Sequence, residues 1–132
     1  MKRLAVLVAL VLAGCGSRSV DLFEVRRSGA DRNANLTLLV SDDGTVTCNG
    51  TEHRIDGDLL LRARELTRQI SDQAELNLTL PAGPNTVLSY EARMEAGTIS
   101  FSDTSRPLPR SFAALTSFTS DVAEDVCGIA RG

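Results

Sequence analysis

This sequence of 132 residues contains three cysteines and one histidine, residue types that can serve as a nucleophile, a general base or a metal ligand: Cys15, Cys48, Cys127 and His53. His53 is the single histidine, and it lies in the polar stretch GTEHRID. A hydrolytic triad would need it beside a serine on a sharp turn, and the Gly-x-Ser-x-Gly pattern of such a turn does not occur. Two cysteines and one histidine also lack the fourth ligand and the Cys-x-x-Cys spacing of a structural zinc site. We therefore predict no catalytic residue and no metal site, and we interpret His53 as a solvated surface residue.

The first cysteine follows a segment with the features of an export signal. Lys2 and Arg3 precede an uninterrupted apolar run at 4–12, and small residues follow at 13–14. This run is too short to cross a bilayer as a helix of the mature protein. The quartet Leu12-Ala13-Gly14-Cys15 resembles the lipobox of bacterial lipoproteins, in which cleavage occurs just before the cysteine.

The resemblance to bacterial lipoproteins implies both a modification and a location. Residues 1–14 would be a removed signal peptide, and Cys15 would carry acyl chains such as palmitate as the first residue of the mature chain. Several acyl chains on one residue anchor a protein stably, whereas a single chain is marginal. The expected location is the extracytoplasmic side of the cell membrane, with residues 15–20 as a short tether. The alternative is an ordinary secretory signal in which Cys15 has no role.

The two remaining cysteines are expected to form a disulfide. With Cys15 modified, only Cys48 and Cys127 are left, and an exported domain can oxidise them. Their bond would close a loop of about 80 residues and stabilise the domain by roughly 4 kcal/mol in the chain-entropy treatment. The alternatives are two buried free thiols or a two-cysteine metal site that includes His53.

Charge and composition narrow the range of partners. The whole chain has a formal net charge of −3, and loss of Lys2 and Arg3 with the signal peptide makes the mature chain more acidic. Without a basic tract to neutralise phosphates, we expect no nucleic-acid partner. The absence of tryptophan and the small number of other aromatic residues argue against ring-stacking sites for sugars or bases. No nucleotide-binding glycine motif appears, so no cofactor is expected.

Acidic and basic groups suggest one turn and one candidate interaction loop. Asp42-Asp43-Gly44 resembles part of a calcium loop, yet the further acidic ligands are absent, so we interpret it as a hairpin turn. In GTISFSDTSRPLPRSF, Arg106 and Arg110 lead into a predicted helix, where an anion or an acidic loop of a partner could dock. The alternative for this segment is a plain connector between a strand and a helix.

The hydrophobic pattern predicts the elements that position these residues. Period-two alternation and turn residues predict strands at 20–27, 36–40, 45–48, 52–55, 76–80, 87–93 and 98–102. Apolar stripes at helical spacing predict helices at 58–71 and 110–126. The order of elements does not build a parallel sheet. We predict a two-layer α+β fold at 21–132, with an antiparallel sheet of five to six strands and two helices on one face.

The sequence favours a membrane-anchored envelope lipoprotein that is not an enzyme and serves as an interaction or structural module. Its expected partners are the membrane, through Cys15, and another envelope protein or a lipid. A second hypothesis is a carrier of small apolar ligands, which requires an unfilled pocket between the two layers. A third is an inhibitor of secreted proteases, for which the loop at 81–84 or at 106–109 would serve as bait.

Overall fold

In the computed structural model of this protein, residues 21–130 are described. They form six strands and two helices, in the order β1 (Asp21–Gly29), β2 (Leu36–Ser41), β3 (Thr45–Cys48), β4 (Thr51–Arg54), α1 (Gly57–Glu75), β5 (Leu88–Met94), β6 (Gly97–Ser102) and α2 (Arg110–Asp125). The predicted signal peptide at 1–14 and tether at 15–20 lie outside the described residues.

All six strands form one antiparallel sheet, in the order β4-β3-β2-β1-β5-β6. The meander of β2, β3 and β4 extends the sheet on one side of β1, and the hairpin of β5 and β6 extends it on the other. Val25 of β1 therefore lies opposite Leu38 of β2 and also opposite Ala92 of β5. The predicted α+β fold, with its antiparallel sheet and two helices, is confirmed.

A bulge in β1 explains why the apolar residues near its start do not simply alternate. Asp21 pairs with Ser41 of β2 but Phe23 pairs with Val40, so the register shifts between them. An extra residue in one strand locally disrupts the alternation of sides. Phe23 and Val25 are consequently buried, and Leu22 is only partly so.

The core lies between the sheet and the two helices. Phe23 of β1 packs edge-on against Phe118 of α2, with 5.8 Å between ring centroids, and Phe101 of β6 packs against Phe112 at 5.0 Å. The helices contribute Ala63, Leu66, Ile70 and Ala74 from α1 and Phe112, Leu115, Phe118, Thr119, Val122 and Ala123 from α2. All of these side chains except that of Thr119 are apolar, and their burial is the main force that holds the two layers together.

The start of α1 agrees with the prediction, and its end does not. Asp56 caps the helix, since its side chain accepts a hydrogen bond from the backbone N–H of Leu59 at 2.8 Å. The helix continues to Glu75, four residues beyond the predicted end, because Ala74 extends the buried stripe. Part of the strand predicted at 76–80 is therefore consumed by this longer helix and the turn that ends it.

The rest of that segment pairs with the sheet without forming a full strand. Ser100 of β6 donates its N–H to the carbonyl of Leu78 at 3.0 Å and accepts from the N–H of Leu80 at 2.8 Å. Thr79 and Ser100 thus form one isolated bridge of parallel β type. This segment covers part of the outer edge of β6.

The disulfide predicted between Cys48 and Cys127 is present, with 5.9 Å between their Cα atoms. It joins the end of β3 to the residues that follow α2. The second helix is thus covalently held to the sheet, as predicted.

Candidate functional site

A surface cleft of about 400 Å³ lies at the end of the sheet where β1 finishes and β5 begins. Arg27 and Tyr90 form its floor, and α2 forms one wall. The loop after β1 and the segment after α2 complete the rim. The cleft therefore combines residues from four separate parts of the chain.

Arg27 holds the loop that follows β1. Its Nε donates a hydrogen bond to the carbonyl of Ala34 at 2.9 Å, and its Nη2 donates to the carbonyl of Asn33 at 3.0 Å. Hydrogen bonds from a charged donor are stronger than those between neutral groups. The guanidinium group is thus fixed in position beneath the loop.

Asn33 joins the same loop to the C-terminal segment. Its Nδ2 donates to the carbonyl of Ala130 at 2.9 Å. The chain reaches this position because Gly128 adopts a φ of +71°, and the N–H of Ile129 then donates to the carbonyl of Ala123 at 2.7 Å. The segment after α2 is consequently folded back onto the helix at the rim of the cleft.

Tyr90 is the aromatic residue of the cleft. It is only 5% exposed, and its ring stacks on Phe101 with 5.2 Å between centroids. Burial raises the pKa of Tyr90 above its ordinary value, and the positive charge of nearby Arg27 acts in the opposite direction. The phenol is therefore neutral near pH 7 and can donate or accept a hydrogen bond.

The α2 wall adds further polar groups. Thr116, Ser120 and Glu124 recur every fourth residue and lie along one flank of the helix, where all three are half-buried. Leu88 and Ile129 add apolar surface beside them. A half-polar concave surface of this kind suits a small molecule or a chain end that forms several hydrogen bonds.

The two arginines of the predicted interaction loop differ in their surroundings. Arg106 donates from Nη1 to the carbonyl of Ser105 at 2.7 Å and to that of Asp103 at 3.2 Å, so it is turned onto its own loop. Arg110 is exposed at the first turn of α2. The role of Arg106 and Arg110 in anion binding stays a prediction.

The other residues considered in the sequence lie away from the cleft. His53 is half-buried and not fully solvated as predicted, and it lies on β4, which β3 and β2 separate from β1. Asp43 accepts hydrogen bonds from the N–H and the hydroxyl of Thr45 at 2.9 and 2.6 Å, and Gly44 has a φ of +88°. The interpretation of 42–44 as a hairpin turn is thus confirmed.

The region in which a lipid carrier would hold its ligand is filled by side chains. Phe23, Phe118, Leu38 and Ile70 are fully buried between the sheet and the helices. A carrier function would therefore need a site other than the interface of the two layers.

The predicted lipidation site, Cys15, lies outside the described residues. Within 21–130, neither helix has the length and hydrophobicity needed to cross a bilayer. Over the same residues, no three histidine, cysteine, aspartate or glutamate side chains are grouped as metal ligands would be.

Comparison with protein families, curated proteins and solved structures found no match to this chain.

No motif in the sequence indicates a role for Arg27, Asn33 or Tyr90. The hydrogen bond between Asn33 and Ala130 joins residues 97 positions apart, and Arg27 lies opposite Tyr90 on another strand, so both contacts depend on the tertiary fold. One signal was present in the sequence. Alternate residues of β1 point to the same face of the sheet, and the inward-facing ones are Phe23, Val25 and Arg27. A charged side chain at an inward-facing position needs polar partners, so Arg27 indicates a polar site.

Proposed function

We propose that this protein is a lipid-anchored, non-catalytic binding module of the bacterial cell envelope, with the cleft beside Tyr90 as its binding site. The lipobox-like quartet that ends at Cys15 supports the anchoring. The disulfide between Cys48 and Cys127 agrees with an exported protein, because such bonds persist in oxidising compartments.

The observation that carries this proposal is the separation between the tether and the cleft. Cys15 lies six positions before Asp21, which starts β1, whereas Arg27 lies near the other end of that strand. The six residue steps from Asp21 to Arg27 span about 20 Å. An anchor at Cys15 would thus leave the cleft accessible to another component of the envelope.

The cleft favours a ligand that forms hydrogen bonds over a purely apolar one. Tyr90, Thr116 and Ser120 supply hydroxyl groups, and Glu124 supplies a carboxylate. The fixed loop and C-terminal segment pre-organise this surface, which reduces the entropy lost on binding. Protease inhibition stays a prediction, because no contact of the described loops favours it over binding in the cleft.

The anchoring is tested by labelling growing cells with a palmitate analogue. The intact chain should incorporate the label and enter the membrane fraction. Cys15→Ser should lose both properties while it still forms the Cys48–Cys127 disulfide. Equal labelling of Cys15→Ser would contradict the lipobox interpretation.

The binding role is tested through the fluorescence of Tyr90, which is the single tyrosine in a chain without tryptophan. Fractions of small molecules extracted from the bacterial envelope are titrated into the full chain in detergent micelles. A saturable change that Ser120→Phe abolishes, because the larger side chain fills the cleft, would support the proposal. Thr37→Phe, at an exposed position on the other face of the sheet, is the matched control. An identical response in both variants would mean that the cleft is not the binding site.

A further inference from the structure

The two edges of the sheet differ in how their backbone groups are used. At the β6 edge, Leu78 and Leu80 form hydrogen bonds with Ser100. At the β4 edge, no described residue outside β3 forms a backbone hydrogen bond with Glu52 or Arg54. An uncovered edge strand is a template for pairing with another strand.

The hydrogen-bond pattern identifies which residues of β4 present their backbone outward. Asn49 and Gly50, with φ of 47° and 89°, form a two-residue turn, so Cys48 and Thr51 are the hydrogen-bonded pair beside it. At the other end of β4, the N–H of Ile55 donates to the carbonyl of Gly44 at 2.9 Å, so the backbone of Ile55 also points toward β3. Thr51, His53 and Ile55 thus direct their backbone groups toward β3, and Glu52 and Arg54 direct theirs outward.

The side chains of Glu52 and Arg54 carry opposite charges and share a face of the sheet. They lie opposite Thr47 and Thr45, on the face away from the helices, because the neighbouring Val46 is buried beneath the helices. Both side chains are exposed, and neither forms an ion pair or hydrogen bond with any residue in 21–130.

Charge and backbone parity together select one antiparallel register for two copies of β4. When His53 lies opposite His53 of the second copy, each Glu52 lies opposite an Arg54, in a pair that exchanges two backbone hydrogen bonds. A register centred on Glu52 or on Arg54 places like charges directly opposite each other, which is destabilising. Charged residues ordinarily prevent pairing at an edge. In this strand their order instead permits pairing with itself in a single register.

We infer that two copies of this protein associate through their β4 edges, antiparallel and centred on His53, to form one continuous sheet. The pairing is isologous, because the same surface is used by both copies and Glu52 of each meets Arg54 of the other. This inference does not rest on the binding role proposed for the cleft.

The register of the sheet is compatible with two anchors in one membrane. Pairing across the sheet places His53 opposite Val46, Val46 opposite Val40, and Val40 opposite Phe23. The start of β1 is therefore at about the same height along the strands as the proposed two-fold axis. Both tethers would leave the dimer near its middle, and the two clefts would lie toward its opposite ends.

Cysteine cross-linking in the full chain, reconstituted in vesicles, tests the register. Opposed residues in a non-hydrogen-bonded antiparallel pair have Cα atoms about 4.5 Å apart, so His53→Cys should form an intermolecular disulfide under mild oxidation. Thr51→Cys is the matched control. In this register the two copies of residue 51 are offset by four residues, or about 13 Å, beyond the reach of a disulfide. Equal cross-linking of both variants, or none of His53→Cys, would overturn the inference.

A charge exchange tests the contact without any added cysteine. Sedimentation in detergent should show a dimer of the unsubstituted chain, and Glu52→Arg should weaken association by about tenfold because two arginines then face each other in each pair. The combined exchange Glu52→Arg with Arg54→Glu restores opposite charges and should restore the dimer. Thermal unfolding of each variant confirms that the fold is intact. A monomeric parent chain, or a double variant as weak as the single one, would refute the pairing.

Discussion

At the scale of single residues, the environment of Arg27 and Tyr90 departs most from what their positions in the sequence suggest. Both lie on the inward face of their strands, directly opposite each other, where most neighbours are apolar. Arg27 is tolerated there because two backbone carbonyls accept its hydrogen bonds. Arg27 and Tyr90 therefore place polar groups at the edge of the apolar core, where the cleft begins.

Tyr90 should make the stability of the protein depend on pH in alkaline solution. Because burial raises its pKa, the folded chain retains the phenolic proton at a pH where the unfolded chain loses it. The stability that this difference supplies is complete below about pH 10 and declines as pH rises through the pKa of the folded state. Tyr90→Phe should remove this alkaline decline.

The measurement is a tyrosinate absorbance titration together with urea unfolding at several pH values. The chain has one tyrosine, and its single lysine, Lys2, lies in the predicted signal peptide, so few other groups titrate in this range. An ordinary tyrosinate midpoint in the folded protein would show that Tyr90 is more solvated than its burial indicates.

At the scale of elements, the sequence predicted what depends on local pattern and missed what depends on contacts between distant segments. The strand at Thr45–Cys48 has the predicted bounds, because turn residues flank it on both sides. The predicted end of α1 was wrong. Ala74 is buried by tertiary packing, and a small alanine side chain gives no sign of this burial in the sequence. The cleft could not be predicted, since its rim depends on a hydrogen bond between Asn33 and Ala130.

The hairpin of β5 and β6 should be sensitive to a single methyl group at Gly97. This residue has a φ of +150°, and a Cβ there would collide with the carbonyl group of Ala74 at the end of α1. The N–H of the next residue, Thr98, also donates to Oδ1 of Asn77 at 3.1 Å, so the turn has little freedom to move. Gly97→Ala should lower the free energy of unfolding by more than about 2 kcal/mol.

Gly57→Ala is the matched control for this substitution. A Cβ on Gly57 meets no atom within 4 Å, and alanine is favourable in a helix. Urea unfolding should place this variant within about 0.5 kcal/mol of the parent chain. Similar losses for both substitutions would show that the contact between the hairpin and α1 is not the cause.

At the scale of the whole molecule, the disulfide joins the two layers and also supports the cleft. It links Cys48, at the end of β3, to Cys127, just before the segment that folds back toward Asn33. The hydrophobic core packs the same layers, but only the disulfide acts on the unfolded chain as well, by closing a loop between residues 79 positions apart. Loss of the bond should therefore affect both global stability and the rim of the cleft.

Replacement of both cysteines, Cys48→Ser with Cys127→Ser, should lower the free energy of unfolding by about 4 kcal/mol. Urea unfolding measures the loss, and the parent chain treated with a reductant should unfold at the same midpoint, since both lack the cross-link. The tyrosinate midpoint of Tyr90 should also move toward its ordinary value in the double variant, because a loosened C-terminal segment admits water to the cleft. A loss of stability with an unchanged Tyr90 midpoint would separate the two effects. In that case the hydrogen bonds of Arg27 and Asn33 would suffice to hold the cleft without the covalent link.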